Sequence, residues 1–259
     1  MNTSRIEKWY LGLPRITRTY ITILFIVTLS SVFKILDPST LLLDWNLITK
    51  KYEIWRIVTN CFYIGPFSLG WFFFISAFTK FSTSLETDPS FSRSPGQYLY
   101  FIFIQTVFLS TISILFFWPS GLPFLGNSLL FAIIYYWSKK DMWSHVSIYF
   151  VTVKGYQLPF AMLFLHIIMG SSIWIDLIGL ISSHIYYLIR DVIPHKGFPN
   201  ILSITPSIFD TCAKKVDLFY KFLIPDNTRS NYTNNYSRAT YIGTTSSGFI
   251  GRGVRLGDS

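Results

Sequence analysis

The stretch Tyr98–Trp118 reads YLYFIFIQTVFLSTISILFFW and contains no charged residue. A membrane-spanning helix needs about 20 consecutive and mostly apolar residues, and this stretch has that length and composition. Pro119, Ser120 and Gly121 follow it directly and are typical of a turn. The stretch therefore predicts a transmembrane helix that ends in a tight connection to the next one.

Further apolar runs lie on both sides of this helix. By the same criterion, the sequence predicts a polytopic all-α membrane protein with six transmembrane helices. These are Thr17–Phe33, Phe62–Thr79, Tyr98–Trp118, Leu122–Trp137, Leu158–Ile175 and Asp176–Ile189. The sixth helix is short, because about 14 residues rise roughly 21 Å against a hydrocarbon core of about 30 Å. Unless it continues beyond Ile189, we expect the bilayer to be thinner beside it.

The composition agrees with a lipid environment. Of 259 residues, 51% are hydrophobic and only 14% are charged, whereas about a quarter of a soluble domain is charged. The net charge of +9 lies in the segments between apolar runs, which excludes a basic face for nucleic acid. The sequence has no CxxC, HExxH or glycine-rich phosphate loop, so we expect no metal and no cofactor.

The basic residues set the orientation. Lys34, Lys50, Lys51 and Arg56 lie in the loop between helices one and two, and the rest of the 22 basic residues fall on the opposite side of a six-helix arrangement. Because cytosolic segments carry the excess of Lys and Arg, both termini are expected in the cytosol. Residues 1–224 form the expected membrane domain. Residues 225–259 form a polar tail, in which we expect Asp226–Ser247 to be disordered.

Trp55 and Arg56 lie in the predicted lumenal loop, hereafter loop one (residues 34–60). A tryptophan and an arginine at the lipid edge can bind headgroups and distort the bilayer. The alternative interpretation is an ordinary interfacial anchor, which is common in membrane proteins. The pair is thus a candidate membrane-perturbing site.

Helix six contains Gly179, Ser183 and His184. Small residues four apart share one helix face and let a second helix approach closely. An ionisable residue at membrane depth is a functional candidate, although a neutral histidine bonded to a neighbouring helix is the simpler interpretation. Ser128, in helix four, is the candidate catalytic partner of His184, because a serine and a histidine on these helices form the catalytic dyad of rhomboid proteases.

A serine nucleophile also needs an adjacent base and an oxyanion hole. Rhomboids have a glycine after the nucleophile, whereas Leu129 follows Ser128 here. We therefore expect no catalytic residue and keep an intramembrane serine protease as the alternative. A solute transporter would show internal repeats and midplane charges, and neither pattern is visible in the sequence.

The C-terminus ends in an unusual pattern for a polar tail. Large apolar residues are separated by glycines and arginine, in the form of a short linear motif that inserts side chains into a partner's pockets. Its residues are Phe249, Gly251, Gly253, Arg255, Leu256 and Gly257.

Together these residues resemble the Derlin family, from about Trp9 to Pro206 and again at the C-terminus. The resemblance is carried by several short motifs, namely Trp55-Arg56 with Thr59-Asn60, Pro123-Phe124, Tyr136-Trp137-Ser138, Leu158-Pro159, Asp176-Leu177, Gly179, His184 through Tyr187, and Asp191. The terminal motif is similar to the SHP box of Derlin tails. The family's Gly-xxx-Gly on helix six becomes Gly179 and Ser183 here.

The resemblance implies a rhomboid-like fold without protease activity in the endoplasmic reticulum membrane. Derlins retrotranslocate misfolded proteins in ER-associated degradation by thinning the bilayer and opening a lateral gate. The implied partners are the lipid bilayer, a membrane ubiquitin ligase complex, misfolded protein substrates, and an AAA ATPase bound by the tail. The resemblance leaves homo- or hetero-oligomeric assembly open.

Overall fold

The computed structural model describes residues 5–148, 151–168, 170, 172–195, 197, 202 and 204–223. In this part of the chain almost all regular structure is helical, which confirms the all-α class. The helices are α1 (Arg5–Gly12), α2 (Arg15–Val32), α3 (Trp45–Lys51), α4 (Arg56–Thr59), α5 (Leu69–Glu86), α6 (Gln97–Phe116), α7 (Gly126–Lys140), α8 (Leu158–Ile168), α9 (Ile173–Tyr187), α10 (Ile193–His195) and α11 (Ser207–Leu223). A π-helical turn, Leu188–Val192, joins α9 to α10.

The chain divides into two compact units. One unit is the helix bundle, which extends from Leu13 to Tyr220. Among the described residues, the other unit contains α1 and residues 221–223.

A small β-hairpin connects α7 to α8 and was not predicted from the sequence. Its strands, β1 (His145–Ile148) and β2 (Val151–Lys154), pair antiparallel with His145 opposite Lys154. The ammonium of Lys80 in α5 donates to the Ser147 carbonyl at 2.6 Å. This bond ties the hairpin to the bundle.

Three of the described helical segments are long and apolar enough to cross a membrane. They are Arg15–Val32, Gln97–Phe116 and Ile173–Val192. α7 and α8 are shorter, with 15 and 11 residues. The number of six spanning helices therefore stays a prediction.

The second predicted helix, Phe62–Thr79, is displaced by seven residues at each end, since α5 runs from Leu69 to Glu86. Ser68 begins it as an N-cap, because its hydroxyl accepts from the Trp71 amide at 3.2 Å. Polar side chains in its C-terminal half have partners inside the bundle, since Ser82 bonds Tyr98, Ser84 accepts from Trp137 and Glu86 accepts from Thr17. A search for apolar runs does not detect such a helix.

The boundary between the fifth and sixth predicted helices was also wrong. α8 ends at Ile168 rather than Ile175, because Gly170 has φ +76° and its amide bonds the Ile167 carbonyl at 3.0 Å. α9 begins at Ile173, and the helical segment continues to Val192 over 20 residues. The prediction of a short sixth helix is therefore wrong. The short helix is α8, with 11 residues.

α7 is the central helix of the bundle. Every residue from Ser128 to Ser138 is buried, and the helix packs against α5, α6, α8 and α9. A helix that is enclosed on all sides must present apolar side chains in every direction. The run Leu129–Ile134 meets that requirement without a single polar residue.

A polar chain joins α2, α5 and α6. The carboxylate of Glu86 accepts from the amides of Ile16 and Thr17, at 2.9 and 2.8 Å, and from the Thr17 hydroxyl at 2.7 Å. The Thr17 hydroxyl also bonds Ser82, which bonds the Tyr98 hydroxyl, each at 2.7 Å. Glu86 thus satisfies amides that the first turn of α2 leaves without intrahelical partners.

Glu86→Ala tests this cap. We expect it to lower the stability of the purified protein by about 2–3 kcal/mol, because hydrogen bonds to a charged group are lost and two amides lose their acceptor. Glu86→Gln is the control and should lose less, since its amide oxygen can still accept. Thermal unfolding in detergent measures both, and an unchanged melting temperature for Glu86→Ala would contradict the role assigned to the carboxylate.

Candidate functional site

Arg56 is buried inside loop one, with only 6% of its surface exposed. Its Nε pairs with the carboxylate of Glu53 at 2.5 Å. Its Nη1 donates to the carbonyls of Ser39 and Leu42 at 2.8 and 3.0 Å. The guanidinium therefore folds the loop around itself, rather than standing out toward headgroups as the sequence suggested.

Aspartates fix the turns that Arg56 joins. The Asp37 carboxylate accepts from the Ser39 amide at 3.0 Å, and this backbone hydrogen bond holds the pKa of Asp37 below its usual value. The Asp44 carboxylate caps α3 by accepting from the amides of Asn46 and Leu47 at 2.9 and 3.4 Å. Loop one is thus an ordered structure built on side-chain-to-backbone bonds.

Trp55 is on the outside of the same loop, with 55% of its surface exposed. Its neighbours Tyr52 and Ile54 are 78% and 62% exposed. The structure therefore separates the two residues of the predicted pair. Arg56 organises the loop, and Trp55 stands at the surface with two other apolar side chains.

Gly179 and Ser183 both face α7. A Cβ atom on Gly179 would lie 2.5 Å from the Ser128 carbonyl oxygen, so the two helix backbones touch at this point. The Ser183 hydroxyl donates to the Ala132 carbonyl at 2.8 Å, one turn further along α7. The small residues thus give α9 a close and hydrogen-bonded contact with the central helix.

The arrangement around Ser128 and His184 does not favour nucleophilic catalysis. The Ser128 hydroxyl donates to the Ile175 carbonyl at 2.7 Å, and His184 Nδ1 pairs with the Tyr135 hydroxyl at 2.7 Å. The amide of Leu129, which would donate to an oxyanion, is used in the helical bond to the Leu125 carbonyl at 2.8 Å. Serine, histidine and amide therefore all serve helix packing.

Sequence reasoning missed a second polar contact, which lies where α8 ends and α9 begins. His166 Nδ1 lies 2.9 Å from each carboxylate oxygen of Asp176, and Asp176 is 1% exposed. The contact joins α8 to α9. A lone histidine in an apolar run was the available signal, because ionisable residues in lipid require partners.

Arg190, in the π-helical turn that follows α9, was also missed. The guanidinium lies over the Phe91 ring at 4.1 Å and donates to the Ser90 carbonyl at 2.8 Å and to the Tyr186 hydroxyl at 2.9 Å. It thereby fixes the end of α9 to the segment between α5 and α6. Asp191, beside it, accepts from the Tyr136 hydroxyl at 2.8 Å.

Within the described residues, no group of three or more His, Cys, Asp or Glu side chains could hold a metal ion. The terminal motif, from Phe249 to Gly257, lies outside the described residues.

Comparison with known proteins agrees with this architecture. The Der1-like family matches residues 13–207. The chain is 35% identical over 189 residues to Derlin-1 of Arabidopsis thaliana, covering 72% of this chain and 70% of that protein. It is 34% identical over 196 residues to Derlin-2.1 of Zea mays, covering 73% and 79%. It is 33% identical over 196 residues to Derlin-2 of Oryza sativa subsp. japonica, with the same coverage.

The chain belongs to the Der1-like family. The family match contains loop one, the α7–α9 contact and the His166–Asp176 pair, and it ends at the first residue of α11. Membership supports a Derlin role in ER-associated degradation in general and agrees with a multi-pass membrane protein.

Gly179→Ala tests the close contact between α7 and α9. The new methyl group would meet the Ser128 carbonyl oxygen at 2.5 Å, so α9 must move away from α7, and we expect a loss of about 1–3 kcal/mol. Gly70→Ala is the matched control, because its nearest neighbour would be Ser68 Oγ at 3.8 Å. Thermal unfolding in detergent should show a lower melting temperature for the first variant alone. Equal melting temperatures would mean that the helices do not touch at Gly179.

Proposed function

We propose that the chain is a non-catalytic component of ER-associated degradation that moves misfolded proteins from the endoplasmic reticulum to the cytosol. The observation that carries the proposal is the Der1-like match over residues 13–207. Both termini would lie in the cytosol, as the distribution of basic residues indicates.

A thinned bilayer is the physical basis proposed for substrate movement. At about 1.5 Å per residue, the 11 residues of α8 rise about 16 Å. The hydrocarbon core of a bilayer is about 30 Å thick, and a helix this short with an exposed apolar side favours local thinning. A thinner core lowers the cost of moving a polar chain through lipid.

α8 is the helix that we propose for the lateral gate. Its buried side carries Leu158 and Met162, while Phe160 and Phe164 are 72% and 66% exposed. The polar contact that holds α8 to α9 is formed by His166 near its C-terminal end. A short helix with one packed side and an exposed aromatic side would let substrate pass beside it at small packing cost.

The absence of catalysis is part of the proposal. Ser128 and His184 each have a hydrogen-bond partner on the facing helix, and the Leu129 amide is used by the helical bond to Leu125 at the start of α7. Activation of Ser128 would require breaking the contacts that position α9. We therefore assign these residues to the scaffold.

The proposed partners follow from the tail and the family. Phe249 and Leu256 would occupy pockets of an AAA ATPase, while Gly251 and Gly253 let the backbone approach its surface. A membrane ubiquitin ligase complex would mark the misfolded substrates that the ATPase extracts. Homo- or hetero-oligomeric assembly would complete the path through the membrane.

Phe249→Ala tests the tail. We expect the AAA ATPase to be lost from pull-downs of the detergent-solubilised protein, because the largest apolar side chain of the motif is removed. Tyr241→Ala, an aromatic change in the same tail but outside the motif, should keep the ATPase. Equal recovery with both variants would exclude the motif as the binding site and leave the membrane role untouched.

Trp55→Ala tests loop one. We expect a longer half-life of a misfolded ER substrate in a translation-block chase, because the exposed indole no longer enters the interface. With Trp55→Phe, the half-life of the misfolded substrate should stay close to its value with the native chain. Arg56→Ala should instead lower the amount of folded protein, since it leaves Glu53 unpaired. A normal substrate half-life with Trp55→Ala would refute a membrane role of this side chain.

A further inference from the structure

α11 has a protein-facing side that explains its position. Phe209 packs on the rings of Tyr100 and Phe103 in α6, with ring centroids 5.1 and 5.3 Å apart. A Cβ atom on Gly96 would lie 2.4 Å from the backbone of Phe209. The Asp210 carboxylate bonds the Gly96 amide at 2.9 Å and also the Ser94 hydroxyl. The first turn of α11 is therefore docked against the first turns of α6.

The second half of α11 reaches a different helix. Asp217 pairs with Arg15 at 3.2 Å, and the Arg18 guanidinium lies 5.1 Å from the centre of the Tyr220 ring. Both arginines are in the first turn of α2. α11 therefore lies across the N-terminal ends of α2 and α6, two helices long and apolar enough to span a membrane.

Where α2 and α6 span a membrane, as their length and composition allow, their N-terminal ends lie at the boundary of the bilayer. Phe103, which Phe209 touches, lies in the second turn of α6 and is 39% exposed. In a spanning helix such a side chain faces lipid. A helix that crosses the ends of two spanning helices, with its first turn beside lipid-facing surface, runs along the membrane plane.

The opposite side of α11 is apolar and basic. At positions that recur every three or four residues, it presents Ile208, Cys212, Lys215 and Phe219. Ile208 and Phe219 are 70% and 61% exposed, and so is Leu218 at 63%. Large apolar side chains beside lysines on one exposed face are typical of helices that lie in the membrane interface.

We propose that this outward face of α11, defined by Ile208, Lys215, Leu218 and Phe219 with Lys214, is a binding surface for anionic membrane lipids. The apolar side chains enter the boundary between headgroups and acyl chains, and Lys214 and Lys215 bind acidic headgroups. The helix would then anchor the ends of α2 and α6 at a constant depth. The proposal goes beyond ER-associated degradation, and it would hold for a membrane protein of any function.

Cys212 is a natural probe of this surface. It is exposed on the outward face, whereas the other cysteine, Cys61, is 1% exposed. The full chain is labelled at Cys212 with a polarity-sensitive dye and reconstituted into vesicles of phosphatidylcholine, with or without phosphatidylserine. Brominated lipids report contact with the bilayer, and aqueous iodide reports contact with water.

We expect lipid quenching and iodide protection, both stronger with phosphatidylserine. Lys214→Gln with Lys215→Gln should abolish the increase in lipid quenching that phosphatidylserine produces, because the two cationic groups that attract acidic headgroups are gone. Ile208→Ser with Phe219→Ser should abolish lipid quenching, because the native side chains, rather than the dye, insert. A dye on Ser92→Cys in a Cys212→Ser background is the water-exposed control at the same end of the bundle.

Two outcomes would overturn the proposal. Iodide quenching at Cys212 as strong as at position 92 would show that the face is in water. Protection from iodide without quenching by brominated lipid would show that protein, such as a second copy of the chain, covers the face.

Discussion

The contact between the backbones of α7 and α9 at Gly179 determines how the rest of the bundle is arranged. With no side chain at this position, α9 approaches within contact distance of the Ser128 carbonyl. Hydroxyls on either side then bond across the interface, from Ser128 to Ile175 and from Ser183 to Ala132. Lipid gives helices no hydrophobic reason to associate, so close packing and interhelical hydrogen bonds supply the stability. α5, α6 and α8 complete the enclosure of α7.

The same constraint explains why several buried polar side chains pair across helices within the bundle. His166 with Asp176, His184 with Tyr135, and Ser182 with Gln105 at 2.7 Å each join two helices. An unsatisfied polar group in hydrocarbon is costly, so each pair specifies which helices are neighbours. Residues that resemble a catalytic dyad in the sequence are, in the fold, two of these helix-to-helix contacts.

Hydropathy predicted the helix that no charged residue interrupts and misplaced the helix whose second half contains Lys80 and Glu86. The third helix is found at Gln97–Phe116, close to its predicted Tyr98–Trp118, because no charge interrupts it. α5 was displaced because the partners of its polar residues, such as Tyr98 for Ser82, are far away in the sequence. The division between α8 and α9 depends on the positive φ of Gly170, which apolar composition does not report. Among the site residues, Gly179 was identifiable from its spacing to Ser183. The inward direction of Arg56 was not, because it depends on carbonyls 14 and 17 residues away.

The central claim is that this Der1-like chain acts in ER-associated degradation through its scaffold and without a catalytic serine. It is tested most directly by replacing the endogenous Derlin of a cell with this chain, or with Ser128→Ala, and measuring the half-life of a misfolded ER protein. The account predicts that both forms restore rapid clearance, and that the alanine form differs only by the lost bond to Ile175. Failure of both forms would contradict the degradation role. Restoration by the native chain alone, with equal amounts of the two folded proteins, would show that the Ser128 hydroxyl takes part in chemistry.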